Sequence, residues 1–375
     1  MDSSKSSIMN LGIAMGAIVL FFVAMSSIFG VQTTVAQTIN GLDKGSAYAL
    51  IALGLTLIFG TLGVVNFAHG ALFMLGAFVT VGLNKILKLG FVAEGAETKA
   101  VGGFTFGGPK ETLYIDHWFG EAMGQSILDW SVPISMVFAI PLMILVGVIM
   151  ERGLIKHFYK RPHADQILVT FGLAIVLQEI IKANFGAMSI QAPEPEALVG
   201  ALDLGVFIGF EDGAIRYPYW RLIYFMFAAI VITAVFAFLQ FTTFGMVIRA
   251  GMADRETVGL LGIDVDKRFT LMFGLAAAIA GIAGVMYNPI VAPNYHMGMD
   301  FLVISFVVVV VGGMGSLPGA VLAGLLLGVL ESFSSMREIL EVLPGINQVV
   351  IYLAAIIILL TRPRGLMGRK GVMED

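Results

Sequence analysis

Ten stretches of mostly apolar residues dominate this 375-residue chain, near 8–30, 45–63, 68–87, 132–150, 167–183, 220–241, 269–290, 301–314, 318–333 and 346–361. A helix that crosses a bilayer needs about 20 such residues. In hydrocarbon every backbone N–H and C=O must also be satisfied within the protein. These two conditions predict an all-α polytopic membrane protein with about ten transmembrane helices. Only 13% of residues are charged and 58% are apolar, whereas soluble chains carry about a quarter charged residues. That balance excludes an ordinary soluble enzyme, and it is the reverse of what disorder requires. The chain has no Cys, which removes disulfides and thiolate chemistry. With a net charge of −4 and no basic tract, no nucleic-acid partner is expected. Residues 1–375 therefore read as a single transmembrane domain embedded in lipid.

The connections assign sides. Segment 151–166 carries Arg152, Lys156, Lys160 and Arg161; segment 242–268 carries Arg249, Arg255, Lys267 and Arg268; the tail carries Arg362, Arg364, Arg369 and Lys370. Excess Lys and Arg marks cytoplasmic loops. Segment 184–219 is acidic (Glu194, Glu196, Asp203, Glu211, Asp212) and is expected outside. Alternation then puts both termini inside and makes 88–131 a periplasmic insertion. The apolar run of 8–30 is longer than the about 7–15 residues of a signal-peptide core, so it is expected to be a retained first helix. In the insertion, 111–128 is expected to form a short helix at the membrane surface, with Trp118 and Trp130 in the interfacial belt.

Two apolar stretches are interrupted. The first break is Gly63-Val64-Val65-Asn66-Phe67-Ala68-His69-Gly70, and the second is Val311-Gly312-Gly313-Met314-Gly315-Ser316-Leu317-Pro318-Gly319. A break frees backbone groups, which lipid cannot satisfy; protein or a water-filled cavity must. Transporters expose helix ends along their pathways in this way. Asn66, Phe67, His69, Gly70, Gly312, Gly313, Gly315 and Ser316 are therefore the candidate pathway residues. The plainer alternative is two tight cytoplasmic turns, and hydropathy does not separate the two. His69 serves either to satisfy buried backbone groups or to contact substrate. Intramembrane carboxylates look few: Glu179 and Lys182 stand three apart on one helix face, and Glu331 lies near a helix end. Proton coupling, which relies on chains of such groups, is not expected. Gly324/Gly328, Ala277/Gly281 and Ala280/Gly284 are small-xxx-small pairs that let helix backbones approach closely.

Segment 245–268 is expected to be a cytoplasmic coupling loop. A short helix would begin at Ala253 or Asp254 and end at Gly262, with Arg255 and Glu256 beside Val258 and Leu261 on one face. Such a helix suits docking of another protein; the plainer reading is a structured turn.

These stretches resemble a family. NGLDKGSAYALIALGLTLIFGTLGVVNFAHGALFMLGAF (40–78), RAGMADRETVGLLGIDVDKRFTLMFGLAAAIAGIAGVM (249–286), VVGGMGSLPGAVLAGLLLGVLES (310–332) and ERGLIKHFYKRP (151–162) are similar to motifs of branched-chain amino acid ABC-importer permeases of the LivH type, which are related to urea-type permeases. The long first helix and the 88–131 insertion depart from the family pattern. The resemblance implies ten helices in two inverted halves and alternating access driven by separate subunits. The implied partners are a second permease subunit, two cytoplasmic ATP-binding subunits and a periplasmic substrate-binding protein. It implies no cofactor and a bacterial inner-membrane location. The sequence holds no G-x-x-x-x-G-K-[ST] phosphate loop, as a permease without its own ATPase site requires. Rival readings are a permease for urea or short-chain amides, an ATP-independent small-solute channel, and a membrane-embedded enzyme. The enzyme would need clustered His, Asp or Glu, which the sequence does not show.

Overall fold

The computed structural model describes residues 19–92, 100–101, 104–105, 111–159, 161–210, 213, 215–253 and 255–368. The first helix, α1 (Val19–Phe29), is followed at Gly30 by α2 (Val31–Leu62) and then α3 (His69–Leu87). Residues 8–18 of the predicted first crossing lie outside the described residues. A surface region follows, with strands β1 (Gly90–Val92), β2 (Ala100–Val101), β3 (Phe104–Thr105) and β4 (Glu111–Leu113) and helices α4 (Tyr114–Phe119) and α5 (Glu121–Asp129). Next come α6 (Ser131–Gly153), a 3-10 turn at Ile155–Phe158, and α7 (His163–Phe185). A second surface region contains β5 (Ala201–Asp203), α8 (Leu204–Ile208) and β6 (Arg216–Pro218). The remainder is α9 (Tyr219–Phe241), α10 (Thr243–Ala253), α11 (Arg255–Leu260), α12 (Val265–Tyr287), α13 (Met297–Gly312), α14 (Leu317–Ser334), α15 (Arg337–Val342) and α16 (Ile346–Thr361). The strands form three antiparallel two-stranded ribbons, β1–β4, β2–β3 and β5–β6.

Among the described residues seven helices are long and apolar enough to cross a membrane: α2, α3, α6 (counted through its 3-10 extension), α7, α9, α12 and α14. The shorter apolar helices α1, α13 and α16 match the remaining predicted crossings. At 16 residues, α13 and α16 are each about 24 Å long. The protein is thus an all-α polytopic membrane protein.

Helix bounds differ from the hydropathy reading where local chemistry overrides it. Helix α2 starts at Val31 rather than 45 because Gln37, Asn40, Asp43 and Lys44 continue the helix although they are polar. Helix α12 begins at Val265 because the Asp264 carboxylate accepts from Lys267 N at 3.0 Å and caps the first turn. The surface helix expected over 111–128 is instead a strand and two helices, α4 and α5. They are separated at Gly120, whose φ of +83° lies where a side chain is strained. Trp118 is exposed, as an interfacial anchor must be.

Helices α2 and α12 form the centre. In each, 83% of the apolar window is buried, against 22% in α7 and α9. Small residues cause this. A methyl on Gly328 would lie 2.4 Å from Gly45 Cα, and one on Gly324 would lie 2.9 Å from Ala49 Cα, so α14 rests directly on α2. Gly76 meets Gly281 and Gly284 meets Phe73 O at similar closeness, so α3 crosses α12 backbone to backbone. The predicted small-residue pairs therefore make the helix contacts expected of them. The outer helices carry bulky apolar side chains on their exposed faces, such as Phe138 and Leu145 on α6, Leu168 on α7 and Ile230 on α9. These faces suit lipid.

The bundle has two ends. Helices α10 and α11 mark the proximal one. There the Glu151 carboxylate is buried and accepts from the Tyr159 hydroxyl at 2.6 Å and the Thr270 hydroxyl at 2.8 Å. The distal end is tied by Asn288, also buried. Its Nδ2 donates to Ala77 O at 3.0 Å, and its Oδ1 accepts from Ala192 N at 2.8 Å. One side chain thereby joins α3, α12 and the 184–219 connection.

Candidate functional site

The two breaks differ in depth. Helix α2 ends at the proximal end with Gly63 in the left-handed conformation (φ +66°), its N–H donating to Phe59 O. The next helix does not start there. The His69 ring, in the first turn of α3, packs against Gly54, and its Nε2 lies 3.2 Å from Ile51 O. Ile51 is eleven residues back from Leu62, about 16 Å along the helix. Gly70 packs on Gly298 and Leu302 of α13, and Leu302 stands ten residues, about 15 Å, from the end of α13. The chain thus climbs back through 63–68, and α3 begins about halfway up a ~30 Å hydrocarbon core. The first break is re-entrant.

Its polar groups are held from several sides. Phe67 N donates to Thr170 Oγ1 of α7 at 3.1 Å, and Ala68 N donates to Asn66 Oδ1 at 3.0 Å. Asn66 and His69 are fully buried. Because Ile51 O is an acceptor, His69 is assigned as the Nε2–H tautomer, which leaves Nδ1 an acceptor. Nδ1 of His69 and Nδ2 of Asn66 have no hydrogen-bond partner. Each such buried group costs about 1–3 kcal/mol, so these two are the unfinished part of the break. The plain structural role of His69 is real, but it occupies only one of the ring nitrogens. Ala68 at the N-cap adds no side-chain bond to the helix start. Phe67 is half-buried beside Phe306 (ring centroids 5.5 Å apart) and Phe171 (6.5 Å).

The second break is a tight proximal turn. Gly313 (φ +103°) and Gly315 (φ +81°) reverse the chain, and Gly312 and Gly319 meet too closely for any side chain. Ser316 caps α14 by accepting from Gly319 N at 3.2 Å. The C-terminal tail satisfies the end of α13: Leu366 N donates to Val311 O at 2.8 Å and Met367 N to Gly312 O at 3.0 Å. The turn reading holds here and the re-entrant reading holds for the first break. The second break also lies against α2, three residues before the first break begins. A methyl on Gly60 of α2 would lie 3.5 Å from Gly315 Cα and 3.3 Å from the Met252 methyl of α10.

The coupling segment is two helices rather than one. Asp254 lies outside the described residues, as do the side chains of Ala253, Arg255 and Glu256. Val258 is buried and Leu261 is exposed at 73%. The shared face expected of them therefore does not form: α11 stops at Leu260, and Leu261 sits in the turn that Gly262 (φ +79°) closes. The exposed apolar pair is Leu260 and Leu261. Beside it, a cleft of about 480 Å³ is lined by Arg152, Lys156, Asp264, Asp266, Lys267 and Thr270. Lys267 holds the Asp264 carboxyl below its usual range by hydrogen bonding. The predicted Glu179–Lys182 pair is present at 3.5 Å. Among the described residues no group of three or more His, Cys, Asp or Glu could hold a metal ion.

Sequence reasoning missed Asp43. It counted few membrane carboxylates, but Asp43 lies within α2 and is 3% exposed. Hydropathy started that crossing at 45, two residues too late to register it.

A polytopic bundle with a mid-bundle helix start and two short helices at one end suits a membrane transport component. The chain belongs to the family described as the permease component of the branched-chain amino acid transport system, whose model matches residues 37–360. It is similar to the high-affinity branched-chain amino acid transport system permease protein LivH of Salmonella typhimurium, 27% identical over 340 residues that cover 90% of this chain and 96% of that one. LivH of Escherichia coli is 27% identical over 339 residues, again 90% and 96% of the two chains. BraD of Pseudomonas aeruginosa, which bears the same description, is 29% identical over 348 residues with the same coverage. No solved structure matches. The protein is a multi-pass inner-membrane permease component, and the family match favours this role over a urea permease or a free-standing channel.

Proposed function

We propose that this chain forms one half of the pathway of an ATP-driven importer for branched-chain or related amino acids. A second permease subunit completes the pathway. Two cytoplasmic ATP-binding subunits dock on α10 and α11, and a periplasmic binding protein delivers substrate. The carrying observation is the re-entrant break. Unpaired polar atoms of Asn66 and His69, at a helix start halfway through the bundle, suit a polar ligand passing a mostly apolar wall. Phe67 and Gly70 share this place, while Gly312, Gly313, Gly315 and Ser316 close the turn at the proximal end. Motion of α10 reaches α2 and the second break through Met252 against Gly60 and Gly60 against Gly315. The names of the relatives support the substrate class.

In this reading 151–166, 242–268 and 362–375 face the cytoplasm with both termini, and 88–131 and 184–219 face the periplasm. The natural lack of Cys makes single-Cys labelling clean; a Cys at Glu196 labelled only from the cytoplasmic side would invert the assignment. The functional test is reconstitution of the complete importer in proteoliposomes. ATP-dependent uptake of leucine, isoleucine or valine is expected, with no uptake by this chain alone. Leu261→Asp is expected to lower copurification of the ATP-binding subunits or to uncouple hydrolysis from uptake, since burying an unpaired carboxylate in a docking contact is strongly unfavourable. Full copurification and full coupling in an intact variant would remove the docking role.

A further inference from the structure

The distal half of the bundle contains ionisable and polar groups that the reading above leaves unused. Asp43 is almost fully buried in α2. Its Oδ2 lies 3.9 Å from Arg221 Nη1 in the first turn of α9, and its Oδ1 has no hydrogen-bond partner. That separation is at the outer limit of an ion pair. A carboxylate can accept about four hydrogen bonds, and a buried pair that leaves such capacity unfilled is poorly repaid for its desolvation. The hydroxyls of Tyr217, which lies against both Asp43 and Arg221, and of Tyr224 on α9 are also buried and make no hydrogen bond of good geometry. Two buried hydroxyls therefore accompany a loose ion pair whose carboxylate has an unfilled oxygen. The guanidinium side is 37% exposed, so Arg221 can swing outward while the helix fixes Asp43.

A row of packed aromatic rings leads from this pair to the re-entrant break. The Tyr224 and Tyr287 rings are 5.3 Å apart, Tyr287 and Phe301 are 5.5 Å apart, and Phe301 and Phe73 are 4.6 Å apart. Phe73 stands one helical turn beyond His69. An intramembrane ionisable pair of this kind marks a site rather than a fold requirement by default.

We propose that Asp43 and Arg221 form a substrate subsite for the zwitterionic head of an α-amino acid with an apolar side chain. The ammonium is held by Asp43, the carboxylate by Arg221, and the side chain lies along Tyr287, Phe301 and Phe73. A buried Asp–Arg pair is neutral, and a zwitterion inserted between its two members keeps the site neutral; a net cation or anion does not. The proposal rests on the importer reading and deepens it by naming where the pathway recognises both charges.

The test uses the complete importer with its binding protein in proteoliposomes. The double variant Asp43→Asn with Arg221→Gln removes both charges without leaving either unpaired. It is expected to assemble, to keep the wild-type melting temperature and basal ATP hydrolysis, and to lose uptake of leucine and valine by about tenfold or more. Wild-type uptake by the double variant overturns the subsite. Should the double variant fail to assemble, Arg221→Lys decides. It keeps the charge but not the forked geometry, so lowered uptake with unchanged melting supports the subsite, whereas unchanged uptake overturns it. A wild-type complex that takes up no amino acid overturns the importer reading itself, and the subsite falls with it.

Discussion

The two breaks carry the same kind of sequence and have opposite structures. Each places Gly and polar residues between apolar runs, and each continues as Gly-Ala. The second closes completely: Ser316 caps the next helix, and the tail supplies N–H groups to the carbonyls of Val311 and Gly312. The first leaves His69 Nδ1 and Asn66 Nδ2 unpaired inside the bundle. The first lies inside the bundle, with Asn66 and His69 fully buried, whereas the second lies at its end with Met314 exposed. Unpaired polar atoms are expensive to retain in a membrane protein, and the break that retains them is the one expected to meet a ligand.

The largest expected effect comes from the tight backbone contact that fixes the re-entrant depth. A methyl at Gly70 would sit 2.0 Å from Gly298 O, so Gly70→Leu is expected to abolish the folded permease. Its recovery at wild-type yield and melting temperature would show that α3 does not start where the structure puts it.

Function at the first break separates from folding in a second variant. His69→Leu removes the ring nitrogens while filling the space beside Gly54. Uptake is expected to fall by about tenfold or more while the complex still assembles. Equal uptake by the variant and the wild type would make His69 purely structural and erase the contrast between the breaks.

Smaller effects are expected at the second break, and there on stability alone. Ending the chain after Gly365 removes the two tail hydrogen bonds to α13, an expected loss of about 1–3 kcal/mol at ~0.5–1.5 kcal/mol each. Thermal unfolding measures it. A transport defect larger than the lost stability explains would give this turn a role beyond closure.

The mildest change is Ser316→Ala, which removes the α14 cap at a cost of about 1 kcal/mol. Uptake should be unchanged at temperatures well below unfolding. A selective loss of uptake would place Ser316 in the pathway alongside the first break.

Much of this was legible beforehand. The Gly324/Gly328 pair declared a close helix contact, and α14 packs there on α2. The positions of the apolar helices followed from hydropathy because lipid imposes one rule on all of them. The coupling segment was legible as a helix-forming connection, but its face was not. Val258 and Leu261 share a face only if the helix continues, and it stops at Leu260. Asp43 was invisible as a membrane group because a polar start to a long helix lowers mean hydropathy without stopping the helix.

The sequence by itself determined a polytopic helical membrane protein, its apolar segments, its breaks and its close-packing Gly positions. Each of these follows from local composition and spacing under the demand that backbone hydrogen bonds be satisfied in lipid. Only the tertiary structure decided that one break is re-entrant and the other a turn, that Asp43 faces Arg221 across two helices, and that Gly60 meets both Met252 and Gly315. Those facts depend on which distant segments pack together, as Gly60 does with Met252 and Gly315, and packing between helices is set by contacts that no local stretch of sequence contains.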